Sequence, residues 1–250
     1  MKGNGFVGFF DILGYKEIII KNEIDHVSKI ITDILEVLPT KALDSVISIY
    51  PEGTTKEVIK RPLAKLQSKL ISDSILLAYS DDAPPMPPVV QTMVFLHYVS
   101  RLLRLSFEKG LPLRGAIDRG EYFLSDSGQC FAGKPLINCY QLGGSLDLAG
   151  CAITDDCVQY IFETAKLDKA NKAISLFKSF MLSHLAPMKD GQSQELSLIN
   201  WFFPLTDWDA KPDDIRTWII DSFHAHNKQI SPAVISKVTN TEIMLHRMKN

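Results

Sequence analysis

The 250-residue sequence predicts an α+β domain, an α/β sandwich with helices packed on an antiparallel-rich sheet, followed by a mainly helical C-terminal extension. Up to residue 155, strand-like runs and helical stripes alternate in the order β-α-β-β-α-β-β-α-β. Beyond that point the hydrophobic pattern is mostly helical, and the sequence shows no linker and no internal repeat. We therefore predict a first domain over residues 1–155 and an extension over residues 156–250 that packs on it.

The composition excludes several classes of protein. Hydrophobic residues make up 46% of the chain and charged residues 22%, which is typical of a globular protein. With 27 Lys and Arg against 29 Asp and Glu the net charge is -2, so we expect neither nucleic acid nor a membrane as a partner. The apolar run Gly5–Phe10 is too short for a signal sequence or a membrane span, which favours a cytoplasmic location. Four cysteines without CxxC spacing indicate reduced thiols.

The first strand and helix follow from the opening residues. Gly5–Phe10 is aromatic and β-branched enough for a buried strand, and Asp11 stands where that strand should end. Gly14 allows the backbone to turn. The apolar stripe in Ile18–Val37 then predicts an amphipathic helix packed on the sheet.

The next predicted elements are short strands and a hairpin. Ser45–Tyr50 and Lys56–Lys60 resemble two strands around a Pro-Glu-Gly turn, in a region with the character of an insertion. Lys69–Tyr79 (KLISDSILLAY) contains two strand runs that meet at a Ser-Asp-Ser turn. Asp73 is the centre of that turn, so a second acid lies between apolar strands.

A Pro-rich spacer precedes the remaining elements of the first domain. Val89–Lys109 carries apolar residues at helical spacing, and Gly110 ends that helix. We predict one further helix, Lys134–Leu142, and the strands Leu113–Asp118, Gly120–Leu124 and Gly150–Thr154. For the extension we predict a single strand, Leu196–Phe203, and the helices Val158–His184, Asp213–His226 and Ala233–Met248.

Two acids are candidates for a functional site. Asp11 and Asp73 lie 62 residues apart, but the order of elements can bring the first strand beside the hairpin. A carboxylate at the end of a buried strand is costly to keep charged unless a positive group pairs with it. Two carboxylates and a backbone carbonyl would suit Mg²⁺ or Mn²⁺. The residues alone leave a second interpretation open, in which both aspartates only cap turns.

Four stretches resemble class III nucleotidyl cyclase domains, in that family's order. Three are motifs, and the fourth, Phe131–Thr154, resembles the helix and closing strand that follow them. GFFDILGY (Gly8–Tyr15) resembles the F-x-D-I-x-G-F opening, and KLISDSILLAY resembles the K-T-x-G-D-[SG] hairpin, with Ser72 in place of the usual glycine. LPLRGAIDRGEYF (Leu111–Phe123) resembles the L-R-x-G-I-x-x-G strand. The resemblance covers roughly Gly5–Thr154 and implies a ferredoxin-like core.

The resemblance also implies roles for particular residues. Asp11 and Asp73 would bind two Mg²⁺ or Mn²⁺ ions, with the Ile12 carbonyl as a further ligand. The nucleoside triphosphate would be contacted by the backbone N–H groups of Leu13, Gly14 and Tyr15 and, at its base, by Lys69. Family members assemble the site between two subunits head to tail, so we expect a homodimer in which the acids of one chain meet Asn138 of the other.

Besides Ser72, the sequence departs from the family pattern at two positions. In purine cyclases an N-x-x-x-R helix supplies an arginine to the transferring phosphate, but Leu142 follows Asn138 at that spacing. Arg114, Arg119 and Lys134 are the candidates to replace this arginine, which would stabilise charge that develops on the phosphate. A second interpretation of Arg114 stays open, in which it is a structural residue that pairs with an acid across the sheet. The purine-reading acid is also absent, because Phe131 occupies its stretch.

A narrower resemblance involves stand-alone bacterial cyclase-like proteins that share R-G-A-I, V-P-x-K and N-W patterns. The last two appear here as Ala186–Lys189 and Asn200-Trp201. That group includes the pyrimidine cyclases of the Pycsar anti-phage system, which implies conversion of UTP or CTP to cyclic UMP or cyclic CMP, read by a separate effector protein. Two alternatives remain open: a purine cyclase with a variant base pocket, and a catalytically silent nucleotide sensor.

Overall fold

The computed structural model describes residues 2–49, 60, 63–80, 87–125, 130–167, 172–202 and 214–249. Its strands are β1 (Lys2–Ile12), β2 (Leu66–Ile71), β3 (Ser74–Ser80), β4 (Leu113–Leu124), β5 (Phe131–Gly133), β6 (Gly150–Ile153), β7 (Met181–Pro187) and β8 (Ser193–Ile199). Its helices are α1 (Tyr15–Lys21), α2 (Ile24–Ile30), α3 (Leu38–Ile49), α4 (Pro88–Glu108), α5 (Lys134–Ser145), α6 (Asp155–Ala165), α7 (Lys172–Ser179), α8 (Ile215–His224) and α9 (Pro232–Lys249).

The strands form one mixed sheet in the order β2-β3-β1-β4-β6-β8-β7, with β5 paired to β4. Strands β1 to β4 pair with one another in antiparallel fashion, whereas β4 and β6 are parallel. Strand order 2-3-1-4 in a β-α-β-β-α-β unit is the ferredoxin-like arrangement. The predicted α+β class and the ferredoxin-like core are therefore confirmed.

Helices cover both faces of the central strand β1. Phe6 stacks on Phe95 of α4 with ring centroids 4.7 Å apart, while Phe9 meets Tyr140 of α5 edge-on at 5.6 Å. Because strand residues three apart point to opposite faces, α4 and α5 lie on opposite sides of the sheet. Asp11 shares the face of Phe9 and therefore lies on the α5 side.

The first predicted helix is divided, and one predicted strand is wrong. Ile18–Val37 forms α1, α2 and a π-helical turn (Ile31–Leu35), with an extended Asn22 between the first two. Ser45–Tyr50 was expected to be a strand, but its described part belongs to helix α3. Buried Leu38, Ala42 and Val46 recur every four residues, and this helical stripe outweighs the local β-branched content. The strand expected at Lys56–Lys60 lies outside the described residues apart from Lys60.

Strands β7 and β8 form a hairpin that the sequence pattern did not predict. The single helix expected over Val158–His184 is wrong. This range forms α6, α7 and the first part of strand β7, in which buried His184 and Ala186 alternate with exposed or partly exposed residues. The single strand expected at Leu196–Phe203 is instead β8, which pairs with β7 and with β6 and so continues the core sheet. The two strands expected between residues 113 and 124 are one continuous strand, β4.

One buried lysine near the C-terminal end of the chain contacts residues far from it in sequence. The Lys228 ammonium donates to the Gly110 carbonyl at 2.6 Å and to the Ser222 carbonyl at 3.1 Å. Its aliphatic stem contacts Gly14, where φ is +81° and an added Cβ would lie 2.6 Å from the Lys228 Cδ. Burial lowers the pKa of Lys228 to about 7.

This depressed pKa predicts a pH-dependent stability. The unfolded chain holds the Lys228 proton at pH values where the folded chain has lost it, so stability should rise with pH from about 7 towards 10. Lys228→Met should remove this dependence, which amounts to at most about 1.4 kcal/mol per pH unit. Urea unfolding of both proteins at pH 7, 8 and 9 measures it, with exposed Lys16→Met as the control. Parallel curves for the wild type and Lys228→Met would contradict the prediction.

Candidate functional site

Two predicted acids line one cleft of about 470 Å³ on the α5 side of the sheet. Asp11 lies near the end of β1, with Ser74 of β3 and Arg114 of β4 as its cross-strand partners. The Ile12 N–H donates to the Asp73 carbonyl at 2.8 Å, which holds the hairpin turn against the end of β1. Ser72 adopts a positive φ of 56° in that turn, the conformation for which the resembling motif uses glycine. The structure therefore brings the two carboxylates together.

A buried arginine pairs with the first acid. Arg114 Nη2 donates to Asp11 Oδ2 at 2.6 Å, and Nη1 donates to the Leu146 carbonyl at 3.3 Å. Burial raises the pKa of Asp11, Arg114 opposes that rise and the nearby charge of Asp73 adds to it. The cleft thus holds two carboxylates that repel each other and a single guanidinium bonded to one of them.

One buried N–H of the Arg114 guanidinium, on Nε, has no partner among the described residues. Arg114 is 7% exposed. A buried N–H without an acceptor is costly. Because Arg114 lines the cleft, its guanidinium places positive charge where an anionic oxygen could bind.

Helix α5 forms the opposite wall of the cleft with Tyr140 and Gln141. Gly143 lets α5 approach β4 closely, because a Cβ there would lie 2.7 Å from the backbone of Gly115. A Cβ at Gly144 would meet open space. The helix therefore leaves an open, polar entrance next to the acids.

A lysine that the sequence did not assign to the site also lines this cleft. Lys189 lies in the turn between β7 and β8, and its backbone N–H donates to the Ser145 carbonyl at 2.8 Å. Burial lowers the pKa of the Lys189 amine, Arg114 adds to that effect and Asp11 opposes it. In the sequence, Lys189 belongs only to a short shared pattern, and the first residues of β7, the strand that precedes it, were expected to be helix.

Several predicted ligands lie elsewhere. Leu13 and Gly14 line a separate small cavity beside Lys228, and the Leu13 N–H donates to the Pro112 carbonyl at 2.9 Å, so it is not free. Tyr15 begins helix α1. Lys69 is exposed on β2 and does not line the acid cleft.

Among the candidate replacement cations, the structure separates Arg114 from the other two. The Arg119 guanidinium lies over the Tyr160 ring, 3.7 Å from its centroid, and Lys134 is exposed at the start of α5. Neither of these two lines the acid cleft.

Asn138 lies in a second cleft of about 330 Å³, together with Gln141 and Leu142. Its side-chain amide donates to Asp118 at 2.8 Å. Within one chain, Asn138 and the two acids therefore belong to different clefts.

The donor set of the acid cleft suits a hard divalent cation. In the described ranges, no group of three or more His, Cys, Asp or Glu side chains could hold a metal ion. Two carboxylates supplemented by a backbone carbonyl are nevertheless ligands that Mg²⁺ and Mn²⁺ accept, and a cation between them would relieve their mutual repulsion. The residues present thus fit such an ion.

No helix among the described residues has the length and apolarity needed to cross a membrane.

Comparison with solved structures finds similar architectures. The chain is similar to the adenylyl cyclase CyaB from P. aeruginosa, with 14% sequence identity, a TM-score of 0.41 and coverage of 80% of this chain and 94% of that one. It is also similar to the guanylate cyclase domain of RhGC from Catenaria anguillulae, solved in complex with GTP, with 12% identity, a TM-score of 0.47 and coverage of 80% and 97%. No protein-family model and no curated protein sequence matches the chain. Because these likenesses have low identity and low TM-scores, we infer function from the residues of the cleft.

The ion pair in the cleft should be coupled energetically. We expect Arg114→Met to lower the free energy of unfolding by about 2 kcal/mol, since it leaves a partly buried carboxylate without its partner. Adding Asp11→Asn should then cost less than it does in the wild type. Urea denaturation of the four proteins in this cycle measures the coupling. The exposed Arg216–Glu242 pair is the control, with an expected coupling below about 1 kcal/mol. Additive losses at Asp11 and Arg114 would argue against the coupling.

Proposed function

We propose that this chain is a nucleotidyl cyclase that converts UTP or CTP to the 3′,5′-cyclic monophosphate and pyrophosphate. The observation that carries the proposal is the convergence of Asp11 and Asp73 in one cleft with Arg114 and Lys189. A metal-bound triphosphate carries both signs of charge, with cations for the two carboxylates and phosphate oxygens for the two basic groups.

The reaction places separate demands on these residues. The 3′-oxygen forms a bond to the α-phosphorus, the bond from that phosphorus to the bridging oxygen breaks, pyrophosphate leaves and the hydroxyl proton passes to solvent. Asp11, Asp73 and the Ile12 carbonyl would hold two Mg²⁺ or Mn²⁺ ions, and such ions lower the pKa of a bound hydroxyl and neutralise phosphate charge. Arg114 and Lys189 would hold phosphate oxygens and orient the triphosphate for in-line attack.

A head-to-tail homodimer would complete the site. In this arrangement the acids of one chain face the cleft that holds Asn138 of the other. Tyr140 and Ile137, on α5 between the two clefts, are 63% and 57% exposed, and large apolar side chains of this kind favour burial against a partner. The Gly14 and Tyr15 N–H groups and Lys69 remain proposed contacts to the nucleotide, taken from the resemblance alone.

The proposal of a pyrimidine rests on the sequence. Phe131 replaces the acid that purine cyclases use to read the base, and the R-G-A-I and N-W patterns resemble those of the Pycsar pyrimidine cyclases. We further propose that the cyclic nucleotide acts in the bacterial cytoplasm as an anti-phage signal read by a separate effector protein.

Incubation of the purified chain with each of ATP, GTP, CTP and UTP and Mn²⁺ tests the activity. We expect cyclic product from CTP or UTP, and a loss of at least about a hundredfold in Asp11→Asn and Asp73→Asn because the metal ligands are removed. Exposed Asp33→Asn is the matched control and should retain full activity.

Each other outcome of this assay selects an alternative. Product mainly from ATP or GTP would favour a purine cyclase with a variant pocket. Tight nucleotide binding without pyrophosphate release, under conditions where the dimer forms, would favour a silent sensor. Absence of any cyclic product from the four nucleotides would refute the cyclase proposal.

Lys189 should contribute to triphosphate binding and to turnover. We expect Lys189→Met to lower kcat/KM by about ten- to a hundredfold, equivalent to about 1.4–2.7 kcal/mol of lost transition-state stabilisation. Initial rates over a range of nucleotide concentration measure this, with exposed Lys178→Met on α7 as the control. An unchanged kcat/KM in Lys189→Met would show that this amine does not contact the substrate.

A further inference from the structure

A buried carboxylate lies behind the second cleft. Asp118 of β4 is 2% exposed and lies on the same sheet face as Arg114, four residues along the strand. Its Oδ2 accepts from Asn138 Nδ2 at 2.8 Å, and its Oδ1 accepts from the Thr154 hydroxyl at 2.5 Å. Both of these partners are neutral side chains.

These three residues join three separate elements into one hydrogen-bonded chain. Asp118 comes from β4 and Asn138 from α5, while Thr154 lies at the junction of β6 and α6. The Thr154 N–H also donates to the Ile117 carbonyl at 3.1 Å, so the junction is fixed to β4 by backbone as well as side chain. Asn138 and Thr154 both line the second cleft.

The carboxylate removes the rotational freedom of the Asn138 amide. A free asparagine side chain can present either its oxygen or its nitrogen to a ligand. An ionised carboxylate can only accept, so the Asn138 nitrogen must face Asp118, and the reversed amide would place two oxygens against each other. With one N–H engaged, the second N–H and the Oδ1 atom remain for a ligand in the cleft, in a fixed plane.

We propose that Asp118 is a positioning residue that fixes the Asn138 amide for contact with the nucleoside bound across the dimer. This inference rests on the proposed function, because it assigns the cleft of Asn138 to the sugar or base of a nucleotide whose phosphates lie at the partner's acids. Thr154 contributes to this positioning, because its hydroxyl donates to the other oxygen of Asp118 and so fixes the plane of the carboxylate.

A residue that acts only through Asn138 should lose its effect when Asn138 is removed. We expect Asp118→Asn to lower kcat about tenfold with a smaller change in KM. The substitution keeps the shape of the side chain, but an amide can donate as well as accept, so it no longer fixes which way the Asn138 amide faces. In an Asn138→Ala background the same substitution should change kcat by less than about twofold. Thr154→Val should follow the same pattern with a smaller loss. Urea unfolding of every variant ensures that rates are compared among folded proteins.

The possible results separate this inference from the proposed function. An equal loss of kcat from Asp118→Asn in both backgrounds would show a merely structural role, and so would an unchanged kcat in Asp118→Asn. If Thr154→Val lowers kcat equally with and without Asn138, the hydroxyl acts on folding and the proposed chain of contacts is wrong. Absence of turnover in the wild type would overturn the proposed function itself, and the inference with it.

Discussion

The register of β1 between the hairpin and β4 is the constraint on which the site depends. Asp11 lies opposite Ser74 on one side and Arg114 on the other. A slip by one residue would turn Asp11 to the other face of the sheet, towards α4 and the aromatic packing of Phe6. Burial of Phe6 and Phe10 therefore fixes the position of the Asp11 carboxylate. The hydrogen bond from the Ile12 N–H to the Asp73 carbonyl then fixes Asp73 relative to Asp11.

Desolvation makes both signs of charge in the cleft less favourable. Burial raises the pKa of Asp11 in spite of its bond to Arg114, and burial lowers the pKa of Lys189. The cleft therefore disfavours the charged forms of both Asp11 and Lys189. A ligand that brings cations to the carboxylates and phosphate oxygens to the basic groups offsets both effects at once, whereas a simple anion or a metal ion alone offsets one.

The fold and the acid pair could be predicted because their signals are local. An acid at the end of an apolar run and a Ser-Asp-Ser turn between strand runs can both be recognised within a few residues. Lys189 had no such signal, since the segment before it contains Leu, His and Ala at spacings that also fit a helix, and only its pairing with β8 makes it a strand. The hydrogen bonds of Asp118 to Asn138 and Thr154 join residues that are 20 and 36 positions apart. Each residue by itself is ordinary for its strand, helix or cap position, so the sequence does not indicate that they meet.

The proposed head-to-tail dimer would give a role to polar groups that lie apart on one sheet face. Arg114 and Asp118 project from the same face of β4, separated by about 13 Å at the usual rise of a strand. Helix α5 lies over this face, and Gln141 lines both clefts. Each chain thus holds the acids at one side of α5 and the fixed amide of Asn138 at the other. In a head-to-tail dimer, the acid cleft of each chain would face the Asn138 cleft of its partner, which gives two equivalent sites. The exposed Tyr140 would be buried between the chains.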